Sequence, residues 1–313
     1  MKRVLVTGAT GFIGRFTLPR LLALGFEVHA TAPGPVGASM PREIHWHDAD
    51  LLDNHQTAAL MAKVRPTHLL HLAWYTVPGR YQTSTENLRW VQASLFLVEH
   101  FLQWGGQRVA VAGTCAEYDW REGSCKENST PLRPTDLYSV SKHALHMLLA
   151  SWSEQMNFSL AWGRVFFLYG PFEHPKRLVA SVISSLLNNE FARCTLGDQE
   201  RDFLHVDDVA DGLVTLLDST VEGPVNIASG EAVAVRDVVS TLGRLLGREE
   251  LLGFGALSKP PGEQPIVVAD VDHLRNEVVW RPRFSLEVGL EDTIDWWIRQ
   301  CGKLNVKGSP SEP

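Results

Sequence analysis

The chain has 313 residues, 44% of them hydrophobic, and 29 lysines and arginines stand against 36 aspartates and glutamates for a formal charge of -7. This is enough apolar content for a sizeable core, and no basic cluster offsets the negative balance, so nucleic acid is excluded as a partner. No run approaches the ~18 apolar residues of a membrane span, and the apolar start after Met1-Lys2-Arg3 is broken by Thr7, Gly8 and Gly11, too early for an export signal. A soluble cytoplasmic protein with no membrane association is expected.

Up to about residue 165, β-rich runs alternate with helical periodicity, which predicts βα units and a parallel sheet. The strands are read at Arg3 to Thr7, Glu27 to Ala30, Glu43 to Trp46, His68 to Leu72, Arg108 to Gly113 and Ser159 to Val165. Between them, helices are read at Gly11 to Leu24, Thr57 to Val64, Glu86 to Trp104 and Thr135 to Gln155. The expected fold is α/β, a doubly wound parallel sheet of the Rossmann type, with a dinucleotide-binding domain over 1–170. Residues 171–302 are read as a smaller, discontinuous substrate-binding region with some segments returning to the sheet, and 303–313 as a flexible tail.

The first strand runs directly into Thr7-Gly8-Ala9-Thr10-Gly11-Phe12-Ile13-Gly14 and then a helix. Backbone N–H groups and the helix dipole at such a junction hold a pyrophosphate. Gly8 permits the turn, Gly11 the approach of phosphate, and Gly14 the packing of helix on strand. No carboxylate occurs from Val28 to Arg42, where one would grip the adenine ribose of NAD, so a 2′-phosphate has room and NADP(H) is favoured over NAD(H). Arg15 and Arg42 are only distant candidates to neutralise that phosphate. Asp50, after the third strand, is placed to bond the adenine amino group, or else is a solvated loop acid.

Tyr138 and Lys142 are four apart after a helix start at Pro134-Thr135-Asp136, so they share a face. An ammonium beside a phenol favours the phenolate and brings a group of pKa ~10 towards acid–base use. Thr114 follows the fifth strand at the carboxyl edge of the sheet, where active sites gather. Its hydroxyl is read as a partner for the reacting oxygen, or as a turn cap. The cysteines at 115, 125, 194 and 301 have no paired spacing and imply neither disulfide nor metal. His45, His47, His68 and His71 alternate along strands, but with no acid seen to complete a ligand set, no metal site is expected.

Taken together, T-G-A-T-G-F-I-G at 7–14, H-L-A at 71–73, Asn87, Gly113-Thr114 with Tyr118, Y-S-V-S-K at 138–142, Y-G-P at 169–171, R-D-F-L-H-V-D-D-V-A at 201–210 and V-N-I-A-S-G at 225–230 resemble the extended short-chain dehydrogenases. These are the nucleotide-sugar epimerase and dehydratase family, and the resemblance runs to about residue 300. It implies Thr114, Tyr138 and Lys142 as catalytic residues. The cofactor residues implied are Gly8, Gly11, Phe12, Ile13, Gly14, Asp50, Leu51, Leu72 and Ala73, besides Tyr138 and Lys142. Arg201 and Arg177 would contact a nucleotide-diphosphate sugar, and a homodimer would form through the helices from Glu86 and Thr135.

Departures narrow the chemistry. Family glucose dehydratases carry Asp-Glu after the threonine, whereas Cys115-Ala116 follow here and Glu117 is read as a loop carboxylate. Phe167 replaces an asparagine common two residues before the Tyr-Gly of the Y-G-P element. Cys115 is one position from the offset expected of an epimerising thiol. The carboxy-terminal third is similar to 4-ketoreductases of the CDP-abequose synthase type. The expected activity is therefore reduction of a 4-keto-deoxysugar with Tyr138 as general acid. A 4-epimerase with tightly held NAD is the alternative, and a non-catalytic NADP-sensing protein a third.

Overall fold

The computed structural model describes residues 2–36 and 41–307, the side chains of 301–307 excepted. Seven parallel strands form the central sheet: β1 (Arg3–Thr7), β2 (Glu27–Ala32), β3 (His45–Asp48), β4 (His68–His71), β5 (Arg108–Thr114), β6 (Ser159–Val165) and β7 (Gly223–Ile227). Their order is β7-β6-β5-β4-β1-β2-β3. The chain steps outward from β1 to β3 and then returns to β4, so the order reverses between β1 and β4, and a crevice opens at their carboxyl ends.

Burial explains the strands. β5 is buried at every position and Val4, Leu5 and Val6 of β1 are fully enclosed, as expected where helices cover both faces of a parallel sheet. One face carries α1 (Gly14–Ala23) and α6 (Val206–Asp218); the other carries α2 (Asn54–Val64), α3 (Glu86–Gln103) and α4 (Leu137–Met156). β3 closes the sheet on its outer side and is the least buried of the seven.

Local chemistry sets the boundaries that periodicity left loose. The Asp136 carboxylate accepts from Ser139 N at 2.8 Å, so α4 starts at Leu137 and not at Thr135. Asp53 accepts from His55 N and Gln56 N and starts α2 three residues before Thr57. Gly11 N donates to Gly8 O within the phosphate-loop turn, which delays α1 to Gly14. The third strand pairs as His29 with His45 and Ala32 with Asp48, two residues later than expected.

Beyond residue 170, α5 (Leu178–Leu187), α7 (Val235–Leu246) and α9 (Leu286–Lys307) surround a separate apolar cluster that includes Ile183, Val238, Leu242 and Leu290. A short α8 spans Asp272–Asn276. α9 runs five residues into the stretch read as a tail; 308–313 lie outside the described residues. A small sheet joins Glu200–Arg201 to Val233–Ala234 and Ile266–Ala269, and the last of these to Ser124–Cys125. No described helix is long and apolar enough to cross a membrane.

One carboxylate fastens this second region to the main sheet. Asp202, fully buried, accepts from Ser229 N (2.8 Å), Gly230 N (2.9 Å), Ala269 N (3.2 Å) and Ser229 Oγ (2.6 Å). Asp202→Ala strands three backbone N–H groups, each costing ~1–3 kcal/mol if left unpaired. The expected loss is roughly 3–5 kcal/mol, read as a lower denaturation midpoint, with Asp202→Asn losing clearly less.

Candidate active site

A cleft of about 1040 Å³ opens over the carboxyl ends of the strands and reaches into the region beyond residue 170. Its first wall is the phosphate loop. Gly8 has φ +65°, and a Cβ there would meet Ala73 N at 2.8 Å, while one on Gly14 would run into the Gly8 carbonyl oxygen. The close approach of β1, α1 and the strand end at Ala73 thus leaves no room for side chains, and the cradle at the start of α1 fits a dinucleotide pyrophosphate. Gly8, Gly11, Phe12, Ile13, Gly14, Asp50, Leu51, Leu72 and Ala73 all line this end.

The loop is braced from below. Thr7 Oγ1 accepts from Leu72 N (3.1 Å) and Ala73 N (3.2 Å), so its own proton goes to His71 Nδ1 at 2.7 Å. His71 Nε2 then donates to Ser94 Oγ at 2.8 Å, which donates to Trp90 O. Burial holds the His71 imidazole down to about 3, so it stays neutral. Arg15, a candidate phosphate cation, is instead bonded to Thr10 O (2.6 Å) and Gly11 O (3.1 Å) and stacks on Phe172 at 3.9 Å.

Midway along the cleft stand Thr114, Tyr138 and Lys142. Thr114 caps the turn Cys115–Glu117, accepting from Ala116 N at 3.2 Å, and lines the cleft beside Tyr138. The turn-cap reading holds, and capping leaves Thr114 in the wall of the cleft. Tyr81 packs edge-on against the Tyr138 ring at 4.8 Å. Burial pushes the Tyr138 phenol above its ordinary value, opposed by the neighbouring Thr114 hydroxyl.

Lys142 corrects the expectation of ammonium-driven phenolate formation. Its Nζ donates to Ala112 O at 2.9 Å and lies 3.9 Å over the Trp74 ring. Burial lowers it to about 7, against a smaller upward pull from Glu117. Desolvation outweighs ion pairing here, and Tyr138 rests as a protonated phenol. Trp74 is fixed in turn by Nε1 donating to Asn87 Oδ1 at 2.9 Å, while Asn87 Nδ2 donates to Tyr81 O and Ser84 O.

Glu117 is the residue that sequence reading missed. It is not a solvated loop carboxylate but fully buried, accepting from Thr114 N (3.0 Å), Trp162 Nε1 (2.9 Å) and Arg164 Nε (3.1 Å). Arg164 Nη1 donates to Tyr118 Oη, which donates to Asn226 Oδ1 at 2.8 Å. Arg164 follows Gly163 inside an apolar strand, and a lone arginine in such a run was the available signal. Cys115 lines the cleft, but burial pushes its thiol well above the usual range, against a role in proton abstraction.

At the far end lie Arg177, its guanidinium 5.4 Å from the Tyr81 ring, and Arg201, which is buried. Arg201 Nη1 donates to Glu200 O at 2.7 Å and Nη2 to Glu263 Oε1 at 3.1 Å, an ion pair away from the protein surface. Phe167, with Trp120 and Phe203 beside it at 5.9 and 6.2 Å, forms an aromatic wall next to Arg201.

Residues 4–228 match the family model described as NAD dependent epimerase/dehydratase family. The chain belongs to this family. Family relatives include the dTDP-L-rhamnose 4-epimerase of Burkholderia thailandensis, 26% identical over 97% of each chain. Among solved structures, UDP-glucose 4-epimerase of Thermus thermophilus in complex with NAD is 26% identical with a TM-score of 0.81, covering 95% of this chain and 99% of that one. MoeE5 in complex with UDP-glucose and NAD is 28% identical with a TM-score of 0.81, covering 96% and 99%. The relatives named act on or bind nucleotide sugars, and both solved structures hold NAD.

The position of Lys142 has a measurable consequence. Its folded value lies below its unfolded value of ~10.4, so between about pH 7 and 10 the unfolded chain binds the extra proton and stability rises with pH. Lys142→Met removes that contribution. The stability difference, wild type minus variant, is expected to climb by up to ~1.4 kcal/mol per pH unit across pH 7 to 9, measured by urea unfolding at several pH values. A flat difference refutes the assignment.

Proposed function

We propose that this protein reduces a keto group on a nucleotide-activated deoxysugar, with Tyr138 as proton donor and Thr114 and Lys142 as its catalytic partners. The observation that carries the reading is what stands around Thr114: it lines the cleft together with Tyr138 and Lys142, and the carboxylate nearest to it, Glu117, is already engaged. No described carboxylate beside Thr114 is free to act, because Glu117 is engaged by three donors. Elimination of water needs such an acid–base pair; reduction needs one proton and one hydride.

A nicotinamide dinucleotide, which the phosphate loop and Lys142 would hold, would supply the hydride when bound. The substrate oxygen lies between Tyr138 and Thr114, so that charge developing on it is met by two hydroxyls. As hydride reaches the carbonyl carbon, the Tyr138 proton moves to the oxygen, giving a secondary alcohol. Lys142, anchored on Ala112 O, holds the cofactor ribose and passes a proton back to Tyr138. Arg201 and Arg177 take the diphosphate, Arg201 exchanging Glu263 for a phosphate oxygen in a bidentate contact.

For the cofactor, the open space after β2 first favoured the phosphorylated form. Asp48, however, accepts from Gly34 N at 2.8 Å at the exit of that strand, and no described lysine or arginine lines the adenosine end. The lack of such a cation supports the unphosphorylated NAD(H), since a 2′-phosphate would have nothing to balance it. Exposed Leu88 on α3 and Val140, Met147 and Leu148 on α4 support a homodimer through those helices.

A second reading, 4-epimerase with retained NAD, draws on the relatives that carry that activity. The test is to purify the protein, assay bound cofactor after gel filtration, and supply keto- and hydroxy-forms of nucleotide sugars. Stoichiometric consumption of NADH or NADPH with a ketosugar supports the reductase. Retained NAD with interconversion of epimers and no net cofactor turnover replaces it by the epimerase. On either course Tyr138→Phe is expected to lower kcat by about 10²- to 10⁴-fold, and unchanged turnover removes Tyr138 from the mechanism.

A further inference from the structure

On the outer side of the central sheet, away from the cleft, four titratable side chains converge. Alternate residues of a strand share a face, which aligns Glu27 with His29 on β2 and His45 with His47 on β3, and the strand register sets His29 directly opposite His45. The expectation that no acid accompanies these histidines fails because Glu27 comes from the neighbouring strand, where its distance in sequence hides it. His29 Nε2 stands 3.0 Å from Glu27 Oε1 and His29 Nδ1 stands 2.9 Å from His47 Nε2. The His29 and His45 rings stack at 4.8 Å, and one donor atom each from Glu27, His29 and His45 lies within 4.8 Å of the others.

We propose that Glu27, His29 and His45 form a binding site for a divalent transition-metal ion, zinc by the chemistry of its donors, with His47 orienting His29. Two imidazoles and a carboxylate are a zinc donor set, and tetrahedral bonds of ~2.0–2.2 Å place ligand atoms about 3.3 Å apart. Closing the present spacing takes side-chain shifts on the order of 1 Å. His45 is exposed and turns freely, while His29 is already held on both nitrogens. With the metal on His29 Nε2, Nδ1 carries the proton and donates to His47 Nε2, the outer contact that fixes the tautomer of a metal-bound imidazole. A water takes the fourth position.

Two cations stand near. Arg3 Nε is 2.9 Å from Glu27 Oε2, the oxygen not facing His29, and Lys63 lies towards His47. Arg3 is more than a third exposed and can withdraw. The other set of comparable geometry, Glu117 with His143 and His146, lacks that freedom, since Glu117 is bound to an Arg164 that is almost wholly buried. The ion therefore belongs on β2 and β3, where it ties the outermost, least buried strand to its neighbour and steadies the turn into Ala49, Asp50 and Leu51 at the adenosine end of the cleft.

The test uses the full chain without a polyhistidine tag, stripped with chelator and dialysed against Zn²⁺ at neutral pH. One Zn²⁺ per chain is expected. His45→Gln, a change at an exposed position, and His29→Gln each abolish that stoichiometric binding; His47→Gln weakens it ~10–100-fold as loss of an outer-shell partner does; and His143→Gln leaves it unchanged. Substituted Co²⁺ is expected to give a tetrahedral visible spectrum that disappears in His45→Gln. Metal-free melting curves of the variants confirm that they fold. No zinc binding by the wild type, or equal binding by wild type and His45→Gln, overturns the proposal, as does loss of binding in His143→Gln.

Discussion

A single buried ion pair sets the geometry on which the rest of the site depends. Glu117 and Arg164 are both essentially without solvent contact, 3.1 Å apart. Such a pair is tolerated only when its remaining hydrogen-bonding capacity is filled, and it is filled by groups with other duties. Glu117 takes the backbone N–H of Thr114, which fixes the turn at the end of β5, and the indole of Trp162 on β6. Arg164 reaches through Tyr118 to Asn226 on β7, whose amide donates to Cys125 O and Asp270 O. One chain of polar contacts thus links the backbone of Thr114 to three strands and to the small sheet beyond. Losing either charge would strand the other at a cost of about 3–5 kcal/mol.

Desolvation governs the protonation of the centre in the same way. Lys142 is buried and Tyr138 half-buried in the cleft wall, and burial drives each towards its neutral form, the phenol upward and the ammonium down to about 7. The aromatic face of Trp74 and the carbonyl of Ala112 hold the Lys142 nitrogen in place in either state.

Much of this was legible in the sequence because it was local. The glycine spacing of the phosphate loop, the four-residue step from Tyr138 to Lys142 and the apolar runs of the central strands each express a backbone requirement within a few residues. What escaped notice depended on pairing across the sheet. Glu117 looked like a loop acid because its partners, Trp162 and Arg164, are 45 and 47 positions away. Glu27 was separated from His45 by an entire loop until the register of β2 and β3 made them neighbours. The sense of the Lys142 effect was missed for a different reason: spacing reveals which groups face one another but not how much water surrounds them.

Phe172 joins distant parts of the chain. It is a bulky residue in the left-handed region, φ +69°, a conformation that persists only where its surroundings impose it. Arg15 stacks on one side of the ring and Trp296 packs 4.6 Å away on another. Because Arg15 also bonds the carbonyls of Thr10 and Gly11, the carboxy-terminal helix bears on the phosphate loop through this one ring. The last helix and the phosphate loop are therefore mechanically joined, and repacking at Trp296 is felt at the carbonyls of Thr10 and Gly11.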